Sequence, residues 1–181
     1  NEALSKLANT NIYIEDNASI TAPEIKAKCR RLASTPNGLG LVVIDYLQLV
    51  TTGSNRVESR QVEVSEISRS LKTMALELDV PVIALAQLSR SVDKRENKEP
   101  ALVDLRESGS LEQDADLVLF LNRKDYYEAK SEKKENIVPI DIIIAKHRKG
   151  STGLYRLLFE LNMSNFKNYL HTENEEGGYH E

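Results

Sequence analysis

Apolar and polar positions follow two rhythms along this chain of 181 residues. The first is the continuous run. Leu41-Val42-Val43-Ile44 ends abruptly in Asp45, after the punctuation of Gly38 and Gly40, and residues 82–88 and 117–121 form two more such runs. Unbroken apolar stretches of this length predict strands buried on both faces, as a parallel sheet requires. The second rhythm is helical. Val64, Ile67, Leu71, Met74, Ala75 and Leu78 recur at spacings of three and four and predict a helix that ends before Pro81. Ile20-Thr21-Ala22-Pro23-Glu24-Ile25 carries a complete helix start: Thr21 caps, Glu24 completes the capping box, and Ile20 staples to Ile25. Pro23 is tolerated there because first-turn N–H groups have no helical partner. Ile25, Cys29 and Leu32 then share one face, and Pro36-Asn37-Gly38 closes the helix.

The remaining segments read more simply. Ile12-Tyr13-Ile14 is a short β-like run, and residues 110–116 fit a short helical turn. Ile140, Ile142 and Ile144 alternate with Asp141 as in a half-buried strand. Residues 154–161 return after the Gly150-Ser151-Thr152-Gly153 turn, which predicts a β-hairpin. Residues 51–60 and 91–100 read as polar, exposed loops, and the charged stretch 124–136 as a solvated helix or loop. Strands separated by helices of ten to fifteen residues give βαβ units and hence a parallel sheet.

Composition narrows the class. The length suits one domain with a real core, and 40% hydrophobic with 29% charged residues is ordinary for a soluble globular protein. No run approaches the roughly 20 apolar residues of a membrane span. No signal peptide is visible, and the first residue is Asn1 rather than Met, so the expectation is that the sequence starts inside a longer chain. The single Cys29 excludes an internal disulfide and suits a reducing compartment; one Cys and three His give no zinc-ligand spacing. With a net charge of −4, any nucleic-acid contact must be local.

Asp45 is the first candidate for chemistry. Open α/β sheets bind ligands at the carboxyl edge of their strands, and a carboxylate there can hold Mg²⁺, which takes oxygen ligands and keeps several waters. A strand-end Asp that only helps the chain turn is an equal reading of the same residues. Gln87 offers an amide near a strand end, able to donate to phosphate or water; by position alone, a Gln that merely caps the strand is the stronger reading. Arg106-Glu107-Ser108-Gly109 combines a multi-donor cation with a backbone free to approach closely; it reads equally as a helix-to-loop junction with a glycine cap. Lys146-His147-Arg148-Lys149, taken alone, is solvated surface.

Taken together, several blocks resemble one family. They are Asp45-Tyr46-Leu47-Gln48-Leu49, Glu63-Val64-Ser65-Glu66-Ile67-Ser68-Arg69, Val80-Pro81-Val82-Ile83-Ala84-Leu85-Ala86-Gln87-Leu88, Asp104-Leu105-Arg106-Glu107-Ser108-Gly109, Glu112-Gln113-Asp114-Ala115-Asp116 and Ala145-Lys146-His147-Arg148-Lys149-Gly150. In this order and spacing they resemble the C-terminal motor domain of bacterial DnaB-type replicative helicases, over residues 12–160. Two departures stand out. No phosphate loop of the form GxxxxGK[ST] occurs, and Tyr46 follows Asp45 where many ATPases place a catalytic Glu, so no general base is assigned.

The resemblance implies an α/β fold: a RecA-like P-loop NTPase core, mostly parallel sheet flanked by helices, with a C-terminal β-hairpin and without its phosphate-loop strand, which in the family lies beside the strand at 82–88. Residues 1–171 would form the later part of this motor domain and residues 172–181 an acidic, disordered tail. The implied function is part of the ATP-driven motor of a hexameric helicase that moves on single-stranded DNA and unwinds duplex at the replication fork, in the bacterial cytoplasm. ATP and Mg²⁺ are the implied substrate and metal; primase and a helicase loader are the implied partners. By position, Asp45 would hold Mg²⁺ and Gln87 would sense the γ-phosphate. Lys146 and Arg148 would reach into the neighbouring subunit's nucleotide. Arg106, Glu107 and Gly109 would line the DNA channel. Arg56 and Arg60 either face the same channel or are solvated charges. The alternatives are a RecA-type recombinase-like ATPase and a non-catalytic fragment that binds DNA or a partner.

Overall fold

A computed structural model describes residues 2–17, 19–53, 59–89, 92, 95, 97–124 and 136–169, with residues 3 and 106–109 described by their backbone alone. Two compact units emerge: Asn1–Ser89 with Leu105–Ala115, and Arg90–Asp104 with Asp116–Glu181.

The first unit is built on α2 (Ala22–Ala33), α3 (Arg60–Leu78) and a pair of parallel strands, β1 (Val42–Ile44) and β2 (Val82–Ala84), preceded by the short α1 (Glu2–Ala8). The capping box at α2 forms: the Thr21 hydroxyl accepts from the Glu24 N–H at 3.4 Å, and the Glu24 carboxylate accepts from the Thr21 N–H at 2.8 Å. The bonds that the Thr21 N–H and hydroxyl donate to the Glu24 carboxylate hold that carboxyl below its usual value. α3 starts at a Ser59 cap and stops at Asp79, whose left-handed backbone (φ 53°) ends the helix two residues before Pro81. Ile25 and Cys29 of α2, Ile44 of β1 and Val64, Ile67, Leu71 and Met74 of α3 close into one core around Leu47. Burial pushes the Cys29 thiol up, so it behaves as a small core hydrophobe. The Ile12-Tyr13-Ile14 run forms no strand; all three side chains are exposed.

The second unit carries an antiparallel sheet in the order β3-β4-β5-β6: β3 (Leu117–Asn122), β4 (Ile137–His147), β5 (Gly153–Glu160) and β6 (Asn165–Asn168). The hairpin of β4 and β5 is therefore present, and β6 extends it. The mostly parallel sheet read from the sequence is corrected: of the strands among the described residues, only β1 and β2 pair in parallel. Short turns between β4, β5 and β6 can return the chain only antiparallel.

Burial on both faces is corrected as well. Val43 is 56% exposed, Ile83 52% and Leu121 65%, and β3 alternates strictly between exposed and buried positions. The apolar runs do encode strands, but none of them is buried on both faces. On β4 the expected alternation breaks at Asp141, which is buried at 3% exposure beside the buried Ile140. Arg156 Nε donates to its Oδ1 at 2.8 Å from the neighbouring β5, and Lys124 approaches Oδ2 at 3.3 Å. Burial raises the Asp141 carboxyl, but the hydrogen bond and charge of Arg156, aided by Lys124, outweigh it and hold the group below its usual range.

Candidate functional site

Parallel pairing decides where the first two candidates sit. Val42, Val43 and Ile44 pair with Val82, Ile83 and Ala84, so both chains leave the ladder on the same edge. Asp45 is the first residue past β1, and Gln87 lies three past β2; both are exposed. Two backbone bonds continue the pairing beyond the strands: Leu85 N–H donates to the Ile44 carbonyl at 2.9 Å, and Leu47 N–H to the Leu85 carbonyl at 2.8 Å. The expected strand over residues 82–88 thus ends as a ladder at Ala84, and Gln87 stands beyond it rather than inside it.

The side chain that takes over is Gln48, in the 3-10 turn Leu47–Leu49. Its amide nitrogen donates to the Gln87 carbonyl at 3.1 Å, and its amide oxygen accepts from the Gln87 N–H at 3.3 Å. The Gln48 carbonyl in turn accepts from Arg60 Nη2 at 2.8 Å. Arg60 also donates to the Val50 carbonyl and pairs with Glu63. Arg60, the first residue of α3, is thereby folded back on its own unit. Arg56 lies outside the described residues. Partial burial raises the Glu63 carboxyl, but hydrogen bonds from Arg60 and the Thr52 N–H outweigh it and lower it. Gln48 carried no assigned role in the sequence; the signal was a lone amide inside the apolar stretch Leu47-Gln48-Leu49-Val50.

Arg106 and Glu107 sit in the 3-10 segment Leu102–Ser108, which runs directly into α4 (Gly109–Asp114). Gly109 therefore starts a helix rather than capping one. α4 is pinned to α3 by Ser68, whose hydroxyl donates to Asp114 at 2.7 Å. Just upstream, the buried Asp104 accepts from the Ala101 N–H at 2.8 Å and from Arg95.

Lys146 lies near the end of β4, opposite Val118, and Arg148 is the first residue past His147 in the following turn. Arg148 is tied to the start of β3: its N–H donates to the Asp116 carbonyl at 2.8 Å, and Nη1 lies 3.5 Å from Asp116 Oδ1. Asp116 is the acidic partner that the local sequence around Arg148 does not contain. The ring of His147 occupies the space a side chain at Gly150 would need, so glycine lets the turn close tightly. Among the described residues no group of three or more His, Cys, Asp or Glu side chains forms a metal cage, and no helix is long and apolar enough to cross a membrane. A lone exposed carboxylate still suits Mg²⁺, whose other positions are filled by water and phosphate oxygens.

Solved structures share this fold. The chain is similar to one titled "ATPase Domain of G40P", with a TM-score of 0.82 and 48% identity over 93% of this chain and 58% of that one. It is equally similar to a DnaB-like replicative helicase solved for its interactions with primase, again at TM-score 0.82 and 48% identity, covering 41% of that chain. The fold is that of a helicase ATPase domain of the RecA type.

A family model, the DnaB-like helicase C terminal domain, matches residues 1–168. The chain belongs to this family. It is 56% identical to the replicative DNA helicase DnaB of Geobacillus stearothermophilus and 53% identical to the replicative DNA helicase DnaC of Bacillus subtilis, each over 92% of this chain. It spans 36% of the length of each of those relatives.

Proposed function

We propose that these residues form the later part of the motor of a replicative DNA helicase, which hydrolyses ATP, moves on single-stranded DNA and assembles as a hexamer in the bacterial cytoplasm, with primase and a loader as partners. The observation that carries this reading is the shared edge of β1 and β2, which brings Asp45 and Gln87 to one end of a parallel strand pair. In it, residues 1–171 belong to the motor and 172–181 form a tail. The parallel sheet is completed by a phosphate-loop strand beside β2. The recombinase-like alternative is not favoured, because the relatives named above are replicative helicases.

The residues divide the work. Asp45 holds the nucleotide's Mg²⁺, which supplies charge neutralisation at the phosphates. Gln87 hydrogen-bonds the γ-phosphate or the attacking water. Lys146 and Arg148 complete the site of the neighbouring subunit. Arg106, Glu107 and Gly109 follow the DNA backbone, and no aromatic residue stands among them to stack on bases.

Two substitutions in the whole helicase test the two ends. Gln87→Ala is expected to lower turnover, DNA-stimulated turnover most, while ATP affinity holds; a pure loss of affinity ends the sensor role. Arg106→Ala is expected to weaken single-stranded DNA binding without sequence preference and to reduce the salt slope by about one phosphate contact. An unchanged slope places Arg106 outside the DNA path.

A further inference from the structure

Gln87 cannot act as a sensor unless something holds it. β2 ends at Ala84, and on its β1 side, among the described residues, the backbone pairing stops at the Leu85 bonds, short of Gln87. Its own side chain is exposed. What does hold its backbone is the Gln48 amide, which donates to the Gln87 carbonyl and accepts from the Gln87 N–H at 3.1 and 3.3 Å. This two-point bond reproduces with a side chain what a neighbouring strand would supply with its backbone. Only a primary amide offers a donor and an acceptor side by side in that geometry.

Gln48 is itself fixed from three sides. Leu47 before it is fully buried, and the 3-10 turn closes with Leu49 N–H on the Tyr46 carbonyl at 3.0 Å. Its carbonyl is held by Arg60, in the first turn of α3, which also holds Val50. Gln48 also stands three residues after Asp45, in the segment that leaves β1 at the same edge.

We infer that Gln48 is a positioning residue for ATP hydrolysis: its amide clamps the main chain of Gln87 so that the γ-phosphate-facing side chain is set relative to Asp45, with Arg60 anchoring the clamp to α3. This rests on the reading of Gln87 as the sensor. Gln48 touches neither nucleotide nor metal in this role; it acts through Gln87. A small misplacement of a group that must meet a transition state can cost up to about a hundredfold, so the loss falls on the catalytic constant and not on binding.

The experiment is a double-substitution cycle in the whole helicase, reading kcat, KM for ATP and the stimulation by single-stranded DNA. Gln48→Leu removes both bonds at similar size. It is expected to lower kcat about tenfold or more with KM for ATP and the melting temperature nearly unchanged. In a Gln87→Ala background the same substitution is expected to do nothing further, because there is no sensor left to position. Gln48→Glu keeps an acceptor for the Gln87 N–H but puts a carboxylate against the Gln87 carbonyl. It is expected to lose kcat in the same way and carries the test if the leucine variant folds poorly. Wild-type kcat in both Gln48 variants, or a loss that adds in full to that of Gln87→Ala, overturns the clamp. Wild-type kcat in Gln87→Ala alone overturns the sensor reading itself, whatever Gln48 does.

Discussion

Asp45→Asn in the whole helicase is expected to abolish multiple-turnover ATP hydrolysis. Asp45 is exposed at the end of β1, at the edge where β2 also leaves the ladder. The substitution keeps the size of the side chain and removes its charge, and a neutral amide is a much poorer ligand for a hard dication than a carboxylate. The core that supports β1 is unaffected, since Ile44, Leu47 and Val50 are the buried members of this segment. The variant should therefore fold, assemble and bind DNA. Raising Mg²⁺ should recover a small part of the rate. Wild-type turnover at ordinary Mg²⁺, followed by steady-state hydrolysis, would remove Asp45 from the metal site.

Arg148→Ala is expected to leave hexamers and ATP binding intact and to slow hydrolysis on the order of a thousandfold or more, the worth of an arginine supplied to a transferring phosphoryl group. A planar guanidinium matches the γ-phosphate oxygens better than a lysine point charge. Arg148 leaves β4 in a turn, and its side chain is half exposed beside Asp116. That exposed pair contributes little to stability, so its removal should barely move the melting temperature. A protein that instead melts early and binds ATP poorly would make Arg148 a structural residue.

The parts of the fold legible in the sequence were those set by near neighbours. Thr21 and Glu24 announced α2, the three-and-four spacing from Val64 to Leu78 announced α3, and the Gly150–Gly153 turn announced the β4–β5 hairpin. Where contacts came from afar, the reading failed. Apolar runs at Val43, Ile83 and Leu121 signalled strands but not what covers each face. Alternation put Asp141 in solvent, whereas Arg156, from the next strand, pairs with it and lets the carboxylate be buried. The strand at 82–88 looked continuous because Leu85, Ala86 and Leu88 are apolar, yet the ladder stops where the Gln48 side chain takes over the bonding of Gln87. In the candidate site, Asp45, Gln87, Lys146 and Arg148 are candidates through block spacing. Gln48 and Asp116 were not, since their partners lie 39 residues away in one case and across the antiparallel register of β3 and β4 in the other.

The most direct measurement is ATP hydrolysis by mixed rings of full-length Arg148→Ala and Asp45→Asn helicase, each inactive alone. In a mixed ring an intact Asp45 site can face an intact Arg148 from its neighbour, so activity is expected to appear on mixing and to peak near equal proportions. Mixed rings that form but stay as inactive as either parent would contradict a motor whose nucleotide site is built from the β1 edge of one subunit and the β4 turn of the next.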